Sequence, residues 1–132
     1  MSYETILYDL PKGRKKVIAL QAKSITIGSP DNSEDISIFF TEIPIEITKM
    51  VAVLVGSATP SVTWTIRFDA NRNLTGIEVV TSGTTTTSTT TGSSVTSFNN
   101  TVISANNFVW LETTAQSGTV DEINITIFWR PI

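Results

Sequence analysis

Hydrophobic residues recur at every second position along most of the chain. In residues 62–68 and 123–129, Val, Ile, Phe and Trp alternate with mainly polar residues. A period of two is typical of a β-strand that buries one face and exposes the other. Nowhere do apolar residues recur at helical spacing for three turns behind a capping box. The pattern therefore predicts an all-β protein.

Seven further segments complete the predicted strands. Ile36, Ile38 and Phe40 form a third alternating set, and residues 50–55 are a continuous apolar run, typical of a strand covered on both faces. Less regular strands are expected over residues 5–10, 17–27, 43–48, 77–81 and 108–113. Clusters of Gly, Pro, Asn and Asp separate these segments. Eight or nine short strands predict a single-domain antiparallel β-sandwich with a jelly-roll-like fold.

The clearest local unit lies near the C-terminus. Residues 108–113 and 119–129 both carry strand patterns, and Gln116, Ser117 and Gly118 lie between them. A short connection that contains glycine favours a hairpin. We therefore expect these two segments to form an antiparallel hairpin.

A long uncharged stretch occupies residues 79–111 and contains a run of Thr and Ser over residues 84–91. Such runs are common in flexible linkers. However, no proline occurs in this stretch, and threonine favours strands. We expect an ordered polar strand or hairpin arm. An uncharged strand with an open edge pairs readily with another chain, which favours an oligomer.

Composition excludes several classes of activity. The chain has 9 Lys+Arg and 12 Asp+Glu, a net charge of −3, and neither cysteine nor histidine. Disulfides, thiolate nucleophiles, iron–sulfur sites and Ser-His-Asp triads are therefore impossible. The N-terminus lacks the pattern of a secretory signal, and the apolar runs are far shorter than the ~20 residues that cross a bilayer. We expect a non-enzymatic protein made in the cytoplasm, without cofactor, bound metal or membrane partner.

The acidic residues do not form a convincing catalytic or metal site. Asp121 and Glu122 are adjacent on a strand, so their side chains point to opposite faces. Asp69, Asn71 and Asn73 begin like a calcium-binding loop, but Leu74 replaces the glycine that such loops need and Arg72 lies among the ligands. A turn held by Asx side chains is the better interpretation.

One basic patch stands out, formed by Lys12, Arg14, Lys15 and Lys16. We assign residues 1–16 to an N-terminal arm or first strand with a basic turn, and residues 17–132 to the β-sandwich domain. The default interpretation of four cations on a turn is a solvated hairpin tip, and the functional alternative is an electrostatic contact with an acidic protein surface. Nucleic acid is not expected, because the chain is acidic overall and no aromatic residues interleave with the basic ones.

Tryptophans are candidates for stacking against sugars. Trp64 and Trp129 share the apolar parity of their own strands, which predicts core positions. Trp110 shares its parity with Phe108 and Glu112, so its side of the strand is ambiguous. Trp110 is therefore the best candidate for an exposed aromatic that contacts a glycan.

Residues 62–130 resemble small all-β structural proteins of tailed bacteriophages, such as capsid decoration (cement) proteins and fibre modules. The likeness rests on Phe68-Asp69-Ala70-Asn71-Arg72, the Thr/Ser/Gly run, residues 101–114, Ser117-Gly118-Thr119-Val120 and the closing alternating strand. The resemblance implies a non-enzymatic virion protein, commonly trimeric, that contacts the major capsid protein or another virion protein. It implies no individual functional residue.

These observations lead to three hypotheses. The first is a capsid decoration protein that binds between capsid subunits through residues 1–16 and stabilises the shell. The second is a carbohydrate- or receptor-binding module of a fibre or head fibre, with Trp110 as the contact residue. The third is a β-sandwich subunit of a bacterial surface assembly.

Overall fold

A computed structural model describes residues 3–9 and 15–132, and side chains from Leu20 onward. The described residues form nine strands and no helix. The strands are β1 (Tyr3–Asp9), β2 (Lys15–Gly28), β3 (Asp35–Thr41), β4 (Ile45–Asp69), β5 (Ile77–Glu78), β6 (Thr84–Thr86), β7 (Ser93–Val95), β8 (Val102–Ile103) and β9 (Asn107–Pro131).

β4 and β9 form the centre of the sheet. Each is 25 residues long, and they pair antiparallel from Ile45 opposite Pro131 to Asp69 opposite Phe108. On the far side of β9, β2 and β3 pair with its C-terminal and N-terminal parts respectively. On the far side of β4 lie the short strands β5 to β8. All pairings are antiparallel, and the nine strands form one hydrogen-bonded sheet.

A bend divides this sheet into halves. Near its middle, β4 has three extra residues between Ser57 and Ser61, opposite a single extra residue on β9. The first half contains residues 45–56 and 120–131 with β2, β7 and β8, and the second contains residues 61–69 and 107–117 with β3, β5 and β6. Phe39 of the second half stacks on Trp129 of the first, with ring centroids 4.5 Å apart. These two rings therefore form a contact between the halves.

One buried cluster joins side chains from both halves. Its largest members include Trp64 and Ile66 from the second half and Ile47, Leu54 and Ile125 from the first. Bulges keep these residues on the inner face. Thr48 is an extra residue in β4, so the buried positions change from odd numbers before it to even numbers after it.

The prediction of an all-β antiparallel fold is confirmed. The two-sheet sandwich and the jelly roll stay predictions, because hydrogen bonds join the strands into one sheet. The predicted hairpin of residues 108–113 and 119–129 is wrong, since both belong to β9 and pair with β4. The division into an arm and a domain also stays a prediction, and its boundary after residue 16 falls inside β2.

The Thr-rich run is ordered in part as a strand, as predicted. Thr84–Thr86 pairs with residues 62–64 of β4. Thr86 is fully buried, and its hydroxyl accepts a hydrogen bond from the indole N–H of Trp64 at 3.0 Å. After it, the backbone carbonyl of Ser88 accepts a hydrogen bond from Leu54 at 2.9 Å. The run therefore covers one side of β4.

Candidate interaction surfaces

β1 and β2 form a two-stranded ribbon that leaves the main sheet. Residues 15–21 of β2 pair with β1, whereas residues 21–28 pair with β9, so only Gln21 takes part in both pairings. At about 3.3 Å per residue, the ribbon is roughly 20 Å long. Lys15 and Lys16 begin β2, while Lys12 and Arg14 lie in the connection outside the described residues. Their partner contacts stay a prediction.

Exposed hydrophobic side chains gather at the end of the sheet from which this ribbon departs. Phe40 and Phe108 pair near the ends of β3 and β9, and Ile43 lies in the short connection between β3 and β4. Val102 pairs with β4 near its start, and Ile132 follows β9. These five side chains are 37% to 58% exposed. We call this set the apolar end.

A shallow pocket of about 140 Å³ opens at the apolar end. The stacked rings of Phe39 and Trp129 form part of its wall. The remaining lining residues are Gln21, Phe40, Thr41, Glu42, Ile43, Ile45 and Pro131. Six of the nine lining residues that the structure describes are aromatic or aliphatic, and Glu42 is the one charged residue among these nine.

A bulge in β3 creates part of this surface. The sequence pattern predicts Phe40 on the same face as Ile36 and Ile38, but the register with β9 shifts between Ser37 and Phe39. The extra residue reverses the alternation, so Phe39 turns toward Trp129 and Phe40 toward solvent, where it is 45% exposed. Phe40 and Phe108 then form an outward pair, with ring centroids 4.8 Å apart.

Trp110 is fully buried, so the expectation of an exposed ring is wrong. It lies outside the main core cluster, on the outer face of β9, under the loop that joins β4 to β5. The guanidinium of Arg72 covers the ring at 4.5 Å from its centroid, and the indole N–H donates to Glu112 at 2.7 Å. The glycan-binding hypothesis thus loses the residue on which it depended.

Arg72 holds the loop over Trp110. Its Nε donates to the hydroxyl of Ser37 at 3.0 Å, and its terminal nitrogen pairs with Asp35. We expect Arg72→Met to lower the free energy of unfolding by about 1 kcal/mol, because the cation–π contact and the ion pair are lost. Acrylamide should also quench tryptophan fluorescence more strongly in this variant.

Arg130→Met is the matched control, since it removes a surface ion pair with Glu46 (3.1 Å) and leaves Trp110 covered. Equal quenching in the two variants would contradict this role of Arg72.

A second ion-pair group lies beside Trp110 on the outer face of the second half. Arg67 is 3.7 Å from Glu78 and 3.3 Å from Glu112, although its Nε makes no hydrogen bond within the described residues. The buried hydroxyl of Thr65 donates to Glu78 at 2.7 Å. These charges hold neighbouring strands together, which indicates a structural role.

The outer face of the first half includes valines of β4 that are partly exposed. Residues 50–55 were predicted to be covered on both faces, but Val51 and Val53 are only half-buried and Val55 is 51% exposed. The prediction that residues 50–55 are covered on both faces is therefore wrong for the outer face of a single chain. Beside these valines, Ser24 shares a hydrogen bond with Thr126 at 2.7 Å.

The loop after β4 is a turn held by Asx side chains, as predicted. The Asp69 carboxylate accepts from the Asn71 amide at 2.8 Å, and the Asn71 side chain accepts from the Asn73 amide at 3.0 Å. Within the ranges that the structure describes, no three His, Cys, Asp or Glu residues are grouped to hold a metal ion, and no helix is long and apolar enough to cross a membrane.

No protein-family model and no curated protein sequence matches the chain. Among solved structures, it is similar to a chain titled "Cyanophage Pam1 capsid asymmetric unit", with a TM-score of 0.49 and 11% sequence identity. The alignment covers 87% of this chain and 85% of that chain. This faint resemblance to a phage capsid chain assigns no role to any residue.

Proposed function

We propose that this chain is a non-enzymatic structural protein of a bacteriophage virion, where it acts as a capsid decoration (cement) protein. It would bind between capsid subunits and stabilise the shell. The sequence resemblance to phage structural proteins supplies the virion setting, and it favours a homotrimer. In this proposal, the β1–β2 ribbon and the apolar end are the surfaces that contact the capsid subunits.

The observation that carries the proposal is the position of the ribbon. The ribbon leaves the sheet at the apolar end. A partner that contacts the ribbon therefore also contacts the apolar end. Residues 1–16 contain four cations and two carboxylates, whereas residues 17–132 contain five cations and ten carboxylates. Three of those five cations, Arg67, Arg72 and Arg130, are in ion pairs within the chain. The basic turn is therefore the part of the chain best suited to an acidic capsid surface.

The test uses expanded shells assembled from the capsid protein encoded in the same phage genome. We expect the purified protein to bind them and to raise their melting temperature. At a free concentration 100-fold above Kd, binding stabilises each site by about 2.7 kcal/mol. Absence of binding at micromolar concentration would contradict the proposal.

The basic turn is tested by reversing two charges. We expect the double variant Lys12→Glu and Arg14→Glu to weaken shell binding by about tenfold or more, because like charges then face the acidic surface. Lys23→Glu with Lys49→Glu makes the same change of net charge on the body of the protein and should leave affinity within about twofold. Equal losses in both double variants would show that overall charge, not the turn, controls binding.

A further inference from the structure

Within the described residues, no strand pairs with the first part of β2 on the side away from β1. Gln21 pairs with Tyr3 and also with Trp129, so β1 and β9 lie on opposite sides of β2. Before Gln21, β2 pairs only with β1, and no other strand of the described residues pairs with it on the side of β9. The backbone groups of residues 15–20 that point to that side are therefore open to a strand from another chain.

The pocket at the apolar end lies at the inner end of this open edge. Gln21 lines it together with Trp129 and Pro131 from the end of β9. Its volume of about 140 Å³ is comparable to that of cavities that hold a benzene-sized group. A strand that begins beside Leu20 would thus place one aliphatic side chain in the pocket. Glu42 disfavours a carboxylate at this position, because like charges repel.

The charges near the start of β2 determine which partner residues bind favourably at that end of the open edge. Lys15 and Lys16 begin β2, and Lys12 and Arg14 precede them in the chain. These cations attract acidic residues, whereas the ribbon of a second copy would bring four more cations and be repelled. The distance from Leu20 to Lys15 along an extended strand is about 17 Å, or five residues.

We infer that the partner contributes an extended segment that adds to residues 15–20 as an antiparallel strand. Its first residue is aliphatic and occupies the pocket, and acidic residues follow four to six positions later, beside the basic turn. The antiparallel direction agrees with every other pairing in the sheet. The inference rests on the proposed function, since it assigns the segment to a capsid subunit.

The first experiment compares two exposed hydrophobic residues on the same shells. Ile43 lines the pocket and is 51% exposed, whereas Leu74 is 57% exposed in the loop after β4. We expect Ile43→Ser to weaken shell binding by about tenfold and Leu74→Ser to leave it unchanged. Hydrogen–deuterium exchange should show that those amides of residues 16–20 that point away from β1 become protected when the wild-type protein binds shells.

The second experiment does not need shells. The probe is the synthetic peptide Leu-Thr-Val-Thr-Glu-Glu-Asp, titrated into the full-length protein by calorimetry. We expect saturable binding that weakens about tenfold when serine replaces the leucine, and similarly when lysines replace the three acidic residues. The Ile43→Ser protein should show the same loss for the wild-type peptide.

The outcomes separate the inference from the proposed function. Shells that bind with no effect of Ile43→Ser and no protection of residues 16–20 would overturn the inference and leave the cement role intact. Shells that do not bind, with a peptide that does, would contradict the cement role and support the strand-addition site. A dimer of the free protein that Ile43→Ser abolishes would also overturn the inference, since a second copy would then occupy the edge.

Discussion

Gly56→Ala should lower the free energy of unfolding by roughly 3 kcal/mol or more, because the added Cβ makes the shortest contact found at any glycine that the structure describes. A Cβ at this position would overlap the backbone carbonyl of Thr119 on the paired strand. Backbone atoms of two central strands cannot move aside without breaking the β4–β9 ladder. Urea denaturation followed by circular dichroism measures the loss.

The matched control is Gly28→Ala at the end of β2. A Cβ there has no atom within 4 Å beyond its chain neighbours, and its φ is not in the left-handed region. The expected change is within about 0.5 kcal/mol. If both alanine variants unfold at the same urea concentration, the contact between the two central strands at the bend is not a constraint on stability.

The same bend explains why the sequence predicted separate strands on either side of it, whereas β4 and β9 each continue through it. Gly, Pro and Ser near residues 56–60 and 116–118 were interpreted as turns that end strands. In the structure, Ala58, Thr59 and Gly118 have positive φ, but they form a bulge inside two continuous strands. Short-range turn signals do not distinguish a chain reversal from a bend, because both need the same local backbone conformations. Whether the chain reverses or bends depends on the strand that pairs with it, and the paired residues are about 60 positions away in the sequence.

The apolar faces were predictable, while the surface around Phe40 and Trp110 was not. Alternation correctly predicted Trp64 and Trp129 as buried, since each shares parity with the aliphatic residues of its strand. Phe40 lies after a bulge that no feature of the sequence indicates. Because of this bulge, Phe39 faces Trp129 and Phe40 faces solvent. Trp110 has outer-face parity but is covered by Arg72, 38 positions earlier in the chain. The nearest sequence signal was an arginine inside an Asx-rich loop, which suggested a defective cation site instead.

Thr86→Val should lower the free energy of unfolding by about 2 kcal/mol, although it replaces the hydroxyl with a methyl of similar size. Trp64 and Thr86 are both fully buried, and the Thr86 hydroxyl accepts the indole N–H of Trp64 at 3.0 Å. Valine offers no acceptor, so the indole N–H loses its partner inside the core. Near-ultraviolet circular dichroism should show a change in the tryptophan bands, and urea denaturation gives the free energy.

Thr85→Val is the matched control one residue earlier in the same strand. Thr85 is exposed, and its hydroxyl shares a 2.8 Å hydrogen bond with that of Thr63, which retains access to water when the partner is lost. The control should therefore change the free energy of unfolding by less than about 0.5 kcal/mol. Equal effects at the two positions would mean that the Thr-rich strand stabilises β4 through its backbone pairing alone. A larger effect at Thr86 would assign the stabilisation to the buried hydroxyl, and would explain why an uncharged run contributes a polar residue to the core.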